Sequence, residues 1–378
     1  KKLYITGKGR CNLANECDDE TFFSVVKKNP RFLYSAYGQF SAYDTLAFFK
    51  KLGLEIKTER GNRVFPVSDK SSDVIRVLEQ RMKDLGVTVH YRTTVDKVLE
   101  EAGHFAGIRT ESKSIYHADA CIIATGGLSY PSTGSTGDGY RFAKEVGHQV
   151  TELSPSLVAI LVKEKKVKQL EGLSLKNVNL SVISPAEKKG KTIQKEVFHG
   201  FGEMLFTAEG VSGPLCLSAS SELASGFSDG TYVEIDLKPA LTMEQLEQRV
   251  LNDFKDNINR QFRNSLGALL PARMAEYIIE ISGIDPYVQV NSVTQQERRH
   301  LCELIKKLRF TVEKLGGYRE AVITRGGINV KEINPATMES KLVSGLYFAG
   351  EVLDLDALTG GFNLQIAWTT GYVAGNSA

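Results

Sequence analysis

The spacing of apolar and polar residues predicts helices alternating with buried strands near the start of the chain. Apolar residues recur at helical intervals in 41–56 and again before a predicted strand, VTVHY (87–91). Residues 93–127 indicate two or three short strands and a hairpin. They end in the apolar run CIIA (121–124), which is typical of a strand buried on both faces of a parallel sheet. A helix is predicted next, over 136–148.

The C-terminal end of the chain repeats this order. The run GLYFAGE (345–351) predicts a buried strand that ends in a glycine and an acid, and residues 360–375 predict a helix. We therefore expect the strands of 121–124 and 345–351 to lie in one sheet, within an α/β domain built from both ends of the chain.

The middle of the chain has a different pattern. Residues 156–238 alternate short strand-like runs with turn residues and lysines, which favours an antiparallel sheet or a barrel. Residues 241–284 predict helices, and 295–317 begin as a helix and return to strand. The simplest architecture is one α/β nucleotide-binding domain interrupted by a two-part insert. The expected segments are 1–155 and 335–378 for the nucleotide-binding domain, 156–240 for the β-rich insert, 241–295 for its helical part, and 296–334 for the return of the β-rich insert.

Composition narrows the class of protein only slightly. A chain of 378 residues is long enough for two or three domains, and a net charge of +2 neither requires nor excludes nucleic acid as a partner. The five cysteines are scattered, without the paired spacing of a zinc site, which favours a reducing, cytoplasmic location and no metal. The sequence has no run of eighteen apolar residues, so we expect no membrane span.

Glycine-rich stretches after the predicted strands are candidate ligand sites. Ile123 leads into Ala124-Thr125-Gly126-Gly127, which places glycines at the carboxyl edge of a sheet, where α/β folds bind ligands. The stretch GSTGDG (134–139) then precedes a helix and offers backbone N–H groups to an anion. The alternatives are a tight turn after the strand and a helix capped by Asp138.

The C-terminal stretch gives the strongest pattern. Gly350 and Glu351 end a buried strand, and an acid there suits a ribose or ribityl hydroxyl. The stretch GGFNLQ (360–365) opens a helix whose N-terminus, with about half a positive charge, suits a ring edge that becomes anionic on reduction, such as the N1–C2=O edge of a flavin. A glycine-rich turn with an exposed acid is the alternative. At the other end of the chain, Gly7, Gly9 and Arg10 form a loop suited to an anion.

In combination these motifs resemble those of the bacterial NAD(P)/FAD-dependent oxidoreductases of the aminoacetone-oxidase-like family. The resemblance spans essentially the whole chain and is carried by GKGRCNLAN, ATGGLSYPSTGSTGDGYRFAKEVGH, GEMLFTAEGVSGP, TRGGINVKEINPATMESKLVSGLYFAGEVLD and TGGFNLQIAWTTGYVAG. The resemblance implies an α/β fold. Its main part is expected to be a glutathione-reductase-like FAD-binding domain of the Rossmann type, and a β-barrel with a helical subdomain is expected to be inserted into that domain. The resemblance also implies a preceding strand, G-x-G-x-x-G turn and helix that grip the FAD pyrophosphate, a unit absent from the printed sequence. Lys8 stands where the family usually has a further glycine.

The resemblance assigns FAD contacts to residues in three stretches. They are Gly7, Gly9, Arg10, Cys11 and Asn12 in the first loop, Thr125, Gly126 and Gly127 after the first strand, and Gly350, Glu351, Asp354, Gly361, Asn363 and Leu364 near the C-terminus. Val95 is expected to offer backbone atoms to the adenine.

Catalytic residues are harder to identify because the flavin supplies the redox chemistry. Cys11 is a candidate proton donor or reactive thiol, with a buried small hydrophobic residue as the alternative. Tyr130 is a candidate proton donor beside flavin N5, with a packing role as the alternative. His199 and Arg325 are weaker candidates, for which a structural histidine and a surface salt bridge are the alternatives.

The expected activity is that of an FAD-dependent oxidoreductase that reduces a conjugated C=C bond, with NAD(P)H as electron donor. The resemblance implies either an enone-like small molecule or uracil in ribosomal RNA as substrate. Lysine- and arginine-rich runs at 163–168, 187–191 and 297–300 are either solvated turns or an RNA contact. Oxidation of a small amine or alcohol is the alternative activity, and a non-catalytic, flavin-bound RNA-associated protein is the alternative class. The sequence leaves the oligomeric state open.

Overall fold

A computed structural model describes residues 1–188 and 190–378, which fall into two units. The first unit contains Lys1–Ser156 and Gly317–Ala378, and the second contains Leu157–Gly316. The lysine-rich run 187–191 includes Lys189, which lies outside the described residues.

In the first unit a parallel pair of strands joins the two ends of the chain. Cys121–Ile123 pairs with Leu346–Phe348, with Ile123 opposite Phe348, which confirms the prediction that these strands share a sheet. The first unit also contains small antiparallel sheets. Two of them have three strands each: Ala14–Asn15, Arg63–Pro66 and Ile56–Glu59 in one, and Val95–Glu101, His104–Thr110 and Ile115–Tyr116 in the other. Two more have two strands each: Ser154–Ser156 with Ile323–Arg325, and Val26–Lys28 with Asp356–Ala357.

Helices of the first unit cover and connect these sheets. They are Lys2–Ile5, Asp19–Val25, Tyr34–Gln39, Ala42–Lys51, Ser71–Asp84, Asp138–Glu145 and Phe362–Ser377. The helix Ala42–Lys51 begins at a capping box in which Ser41 and Asp44 each bind the other's backbone N–H. The main core of the unit includes Phe348, Ile123, Phe142 and Ile366, so the parallel pair and the two helices predicted to follow its strands share one apolar cluster.

The predicted strand VTVHY is wrong. Residues 87–91 form no strand, and Val87, Val89 and Tyr91 are 50%, 45% and 76% exposed. An extended segment becomes a strand only when a neighbour satisfies its backbone groups, and no strand in 1–188 or 190–378 pairs with this segment. Burial on both faces is likewise wrong for Cys121–Ile123, because Ile122 is 38% exposed and only one edge of this strand is paired within the described chain.

The second unit contains the predicted barrel. Its six strands form a closed barrel in the order Ile160–Val162, Gly210–Ser212, Lys191–Thr207, Ser174–Lys188, Tyr232–Asp236 and Leu308–Leu315. Alternate residues of these strands, such as Leu180, Val182 and Val233, are fully buried inside it. The helices of the unit are Pro214–Leu223, Met243–Lys255, Ala272–Ile281 and Gln295–Lys306.

Candidate functional site

The acid that follows the buried strand Leu346–Phe348 lies at the centre of a hydrogen-bonded network. Oε1 of Glu351 accepts hydrogen bonds from Ser129 Oγ at 2.6 Å and from the backbone N–H of Thr324 at 2.8 Å. Oε2 accepts from Lys2 Nζ at 2.8 Å, and the same ammonium donates to Ser129 Oγ at 2.6 Å. We call Lys2, Ser129, Thr324 and Glu351 the Glu351 network, which joins four distant segments at one carboxylate.

The glycine turn after Cys121–Ile123 is built around this network. The hydroxyl oxygen of Thr324 accepts hydrogen bonds from the backbone N–H groups of Leu128 and Ser129, at 2.8 and 3.1 Å. A Cβ on Gly127 would lie 2.4 Å from Thr324 Oγ1 and 2.9 Å from Glu351 Oε1, so only glycine fits there. The backbone N–H groups of Leu128 and Ser129 are therefore already hydrogen-bonded within the protein. Gly126 precedes them with a φ of 74°, and Thr125 is exposed.

The strand Ala14–Asn15, which closely follows the first loop, packs against the start of the C-terminal helix Phe362–Ser377. Asn15 Nδ2 donates to the carbonyl oxygen of Gly360 at 3.0 Å, and a Cβ on Gly361 would lie 2.4 Å from the carbonyl oxygen of Ala14. Leu364 packs in the same apolar cluster as Cys11. The structure therefore brings together two of the three stretches that the resemblance assigns to FAD.

The start of this helix is open to an acceptor. The helix begins after Gly361, whose φ is 99°, and has no acid in its first turn and no side-chain cap among the described residues. The first amides of a helix have no intrahelical acceptor and carry partial positive charge. The Asn363 side chain does not cap them, because it exchanges hydrogen bonds with the backbone of Ala357, at 2.9 Å to N and 2.7 Å to O.

Within the first loop, Arg10 is committed to other side chains. Its guanidinium donates to Asp69 Oδ1 at 2.8 Å and to Glu59 Oε2 at 3.2 Å, and it lies over the ring of Phe65. These hydrogen bonds raise the pKa of Arg10, with Glu59 the larger cause. A contact of Arg10 with a phosphate remains a prediction.

The neighbours of Arg10 are held in strained or buried positions. Cys11 is fully buried with a φ of 60°, and burial raises the pKa of its thiol to about 11, which favours the packing alternative over a reactive thiol. Oδ1 of Asn12 is buried and has no hydrogen-bond partner among the described residues. Gly7 and Gly9 both have positive φ, and a Cβ on Gly7 would lie 2.6 Å from the backbone nitrogen of Asn12.

The remaining predicted cofactor residues are spread over the first unit. Asp354 is 3% exposed and forms an ion pair with Lys28 at 2.9 Å. The Gly350 N–H donates to the Thr370 hydroxyl at 2.9 Å. Val95 begins a strand that pairs with His104–Thr110 in a separate sheet.

The catalytic candidates occupy different surroundings. Tyr130 is half-buried with a φ of 52°, and its N–H donates to the carbonyl oxygen of Tyr318 at 2.9 Å. Arg325 ends the strand Ile323–Arg325, directly after Thr324 of the Glu351 network. His199 lies on the barrel of the second unit, with its side chain 53% exposed and Nδ1 2.9 Å from Ser181 Oγ.

Sequence reasoning predicted Glu351 and Gly127 as site residues and did not indicate Lys2, Ser129 and Thr324, which the structure places beside them. The contacts of Lys2 and Ser129 with Glu351 join residues 349 and 222 positions apart, and no local pattern marks such a pair. The available signal was Ser129 itself, a small polar residue directly after a glycine turn.

The unpaired groups of this region fit FAD. An ionised carboxylate offers about four acceptor sites, and three donors reach Glu351, so one site on Oε2 remains for a polyol hydroxyl. The buried Asn12 Oδ1 is a further acceptor, and the open helix start offers donors to the flavin pyrimidine edge. Within residues 1–188 and 190–378, no group of three His, Cys, Asp or Glu side chains is placed to hold a metal. In the same ranges, no helix is long and apolar enough to cross a bilayer.

Three curated proteins are similar to this chain over nearly its full length. The 3-dehydro-bile acid delta(4,6)-reductase of Clostridium scindens is 30% identical, over 100% of this chain and 90% of its own. The ribosomal RNA dihydrouridine synthase of Haemophilus influenzae is 29% identical, over 98% of this chain and 88% of its own. The Escherichia coli protein of the same name is 27% identical, over 98% and 87%.

The model of one protein family matches almost the entire chain. That family is described as the HI0933-like protein Rossmann domain, and the match covers residues 1–377. The chain belongs to this family and is an FAD-dependent oxidoreductase of the Rossmann type.

Proposed function

We propose that this protein reduces a C=C bond conjugated to a carbonyl in a small, enone-like molecule, with NAD(P)H as the electron donor. The observation that carries the proposal is the full-length similarity to a protein named as a 3-dehydro-bile acid delta(4,6)-reductase. The names of the other two relatives describe the same type of reaction, because dihydrouridine is uridine with its conjugated C=C bond reduced. The glutathione-reductase type of FAD domain is part of the same proposal.

When FAD is bound and reduced, its chemistry would be to supply the hydride that adds to the carbon β to the substrate carbonyl. The residues of this chain bind and orient the two partners. The uncapped amides at the start of Phe362–Ser377 would stabilise negative charge on the flavin ring. The Glu351 network would hold a hydroxyl of the cofactor. Tyr130 donates the phenolic proton to the α carbon, which completes addition of two hydrogens across the bond.

A small substrate is favoured over RNA by the ion pairs of the run 163–168. Lys163 pairs with Asp229 at 2.9 Å, Lys165 with Glu313 at 3.5 Å and Lys166 with Glu280 at 2.8 Å. Cations that are matched by carboxylates add little to the attraction of a polyanion. This run is therefore a solvated, charge-balanced surface in the proposal.

Uracil in ribosomal RNA is the second candidate substrate. The long hairpin of Ser174–Lys188 and Lys191–Thr207 carries exposed Lys188, Lys191 and Lys195, for which the described residues provide no ion pair within 4.0 Å. Unmatched lysines on a projecting hairpin suit phosphate contacts.

Reoxidation of the reduced, full-length holoprotein under anaerobic conditions tests these candidates. The proposal expects rapid flavin reoxidation by a steroid-like 4-en-3-one, and slow reoxidation by a uracil-containing ribosomal RNA fragment. Faster reoxidation by the RNA assigns the second substrate. Reduction of the resting flavin by a small amine, followed by hydrogen peroxide release once air is admitted, assigns an oxidase. Tyr130→Phe is expected to slow the enone reaction about 10²–10⁴-fold, the usual contribution of a positioned acid. The matched control Tyr43→Phe, at a side chain 54% exposed, is expected to have no effect.

A further inference from the structure

Three hydrogen bonds from the described residues hold the Glu351 carboxylate, two to Oε1 and one to Oε2. Both donors to Oε1 are themselves immobilised: Ser129 is fully buried, and the Thr324 N–H belongs to the strand Ile323–Arg325. Within the described residues, Oε2 receives a hydrogen bond from the Lys2 ammonium alone. Because Lys2 also donates to Ser129, these three side chains form a closed ring of hydrogen bonds that allows the carboxylate one rotamer.

The ring leaves one acceptor site on Oε2. Oε1 receives two hydrogen bonds and Oε2 one, so only Oε2 has capacity for another donor. A ligand hydroxyl satisfies it well, since bonds to an ionised acceptor are about twice as strong as neutral ones. The side chains of Lys2 and Glu351 are 23% and 19% exposed, so their ion pair is partly open to solvent but only weakly screened.

We infer that Lys2 is a positioning residue: its ammonium holds Glu351 so that the remaining acceptor site of Oε2 receives one hydroxyl of a flavin nucleotide. The inference rests on the FAD chemistry proposed above and adds the residue that orients its acidic contact. FAD has hydroxyls of this class in its ribityl chain and in its adenosine ribose. Lys2 acts through Glu351, so its effect on affinity requires that carboxylate.

A double-mutant cycle in the full-length protein tests this. The variants are Lys2→Met, Glu351→Gln and the double variant, with dissociation constants measured by calorimetry for FAD, FMN and ADP. The matched control is Lys306→Met, because the Lys306–Asp236 pair in the second unit has a similar distance, 2.6 Å, and similar exposures, 15% and 19%. Thermal unfolding of each apoprotein separates loss of stability from loss of affinity.

We expect each single variant to bind FAD about tenfold more weakly, equivalent to about 1.4 kcal/mol. The double variant should bind no more weakly than Glu351→Gln, because the two residues act in series. Parallel weakening of FMN identifies the ribityl hydroxyl, and weakening of ADP identifies the ribose. Lys306→Met should leave all three affinities unchanged.

Other outcomes overturn the inference. Additive losses in the double variant mean that Lys2 acts on the cofactor directly, and unchanged FAD affinity in Lys2→Met means that it has no such role. If Lys2→Met does not fold, Lys2→Gln removes the same ammonium with a polar side chain, and unchanged FAD affinity in that variant overturns the inference equally. Wild-type protein that binds no FAD contradicts the flavin assignment itself, whereas inactivity toward enones with intact FAD binding contradicts only the proposed substrate.

Discussion

Replacement of Ser340 by alanine is expected to destabilise the first unit, because this hydroxyl organises a buried histidine. The His148 side chain is fully buried, with Nδ1 3.0 Å from Glu332 Oε2 and Nε2 2.8 Å from Ser340 Oγ. Ser340 Oγ accepts hydrogen bonds from the N–H groups of Leu342 and Val343, at 3.0 and 2.9 Å. Its single proton is therefore directed to Nε2, and His148 is neutral with its proton on Nδ1.

The expected size of the effect comes from the groups that alanine leaves unpaired. Nε2 of His148 and the N–H of Val343 are both buried, and each unsatisfied buried group costs about 1–3 kcal/mol. The Leu342 N–H is only partly buried and can bind water instead. Ser340→Ala should therefore lower the free energy of unfolding by about 2–6 kcal/mol. Ser344→Ala, which loses one exposed contact with Glu339, should change it by less than about 0.5 kcal/mol.

Urea unfolding followed by tryptophan fluorescence measures this change. The chain has one tryptophan, Trp368, which lies in the first unit and packs against Phe49. Equal midpoints for Ser340→Ala and Ser344→Ala would refute the assignment of the hydrogen bonds.

The same histidine makes a prediction about pH. Burial lowers the pKa of His148 and outweighs the opposing effect of Glu332, so the unfolded chain binds a proton at higher pH than the folded one. Stability from this group is therefore present above the ordinary histidine pKa of about 6.5 and is lost as pH falls below it, by up to about 1.4 kcal/mol per pH unit. The stability advantage of wild type over His148→Gln should shrink between about pH 7 and about pH 5.5. A constant or growing advantage would contradict a neutral His148.

Three further changes test the cofactor region. Gly361→Pro should abolish FAD binding, or lower the midpoint potential of any bound flavin by about 6–45 mV, because it removes an N–H donor near the reduced ring; spectroelectrochemistry checks this. Gly127→Ala should reduce FAD affinity and the melting temperature, because its Cβ would lie 2.4 Å from Thr324 Oγ1. The control Gly371→Ala meets no atom within 4 Å and should stabilise its helix by about 0.5–1 kcal/mol. Cys11 should resist maleimide at about pH 8, where its buried thiol is protonated, and prompt modification in the folded protein would argue against its packing role.

The elements that the sequence predicts correctly are those with a strong local pattern. The run GLYFAGE contains the buried strand Leu346–Phe348, and the C-terminal helix begins at Phe362, directly after Gly360 and Gly361, as the glycines indicate. The barrel could be predicted because strand-like runs lie between turn residues. Apolar and polar residues alternate along each strand, and this alternation indicates which side of the strand faces the interior. The segment VTVHY shows the limit of this reasoning: its residues have strand propensity, but pairing is a property of the neighbour as well.

Side-chain partners in the site depend on contacts between distant parts of the chain and could not be predicted. The sequence indicated Glu351, since an acid directly after a buried strand lies at a sheet edge, but nothing local indicated that Lys2 lies beside it. The histidines show the same limit. The sequence made His199 a candidate because it precedes the stretch GFGEMLF, but its side chain is exposed on the barrel. His148, which follows the helix Asp138–Glu145, has a fully buried side chain.

The structure also changes which atoms of the predicted motifs are left for a cofactor. Three polar side chains that the motifs suggest as ligands already have protein partners: Arg10 with Glu59 and Asp69, Asn363 with the backbone of Ala357, and Asp354 with Lys28. These contacts hold the first loop and the segment before the C-terminal helix in place. Backbone amides at the start of Phe362–Ser377 remain open, together with one acceptor site of Glu351 and the buried Asn12 oxygen. Because backbone donors move little when a ligand binds, a site of this kind is organised in advance, and its affinity depends on the side chains that fix the backbone as much as on those that touch the ligand. Substitution of Asn363 should for this reason weaken FAD binding through the backbone segment that it positions, a loss that calorimetry with FAD measures.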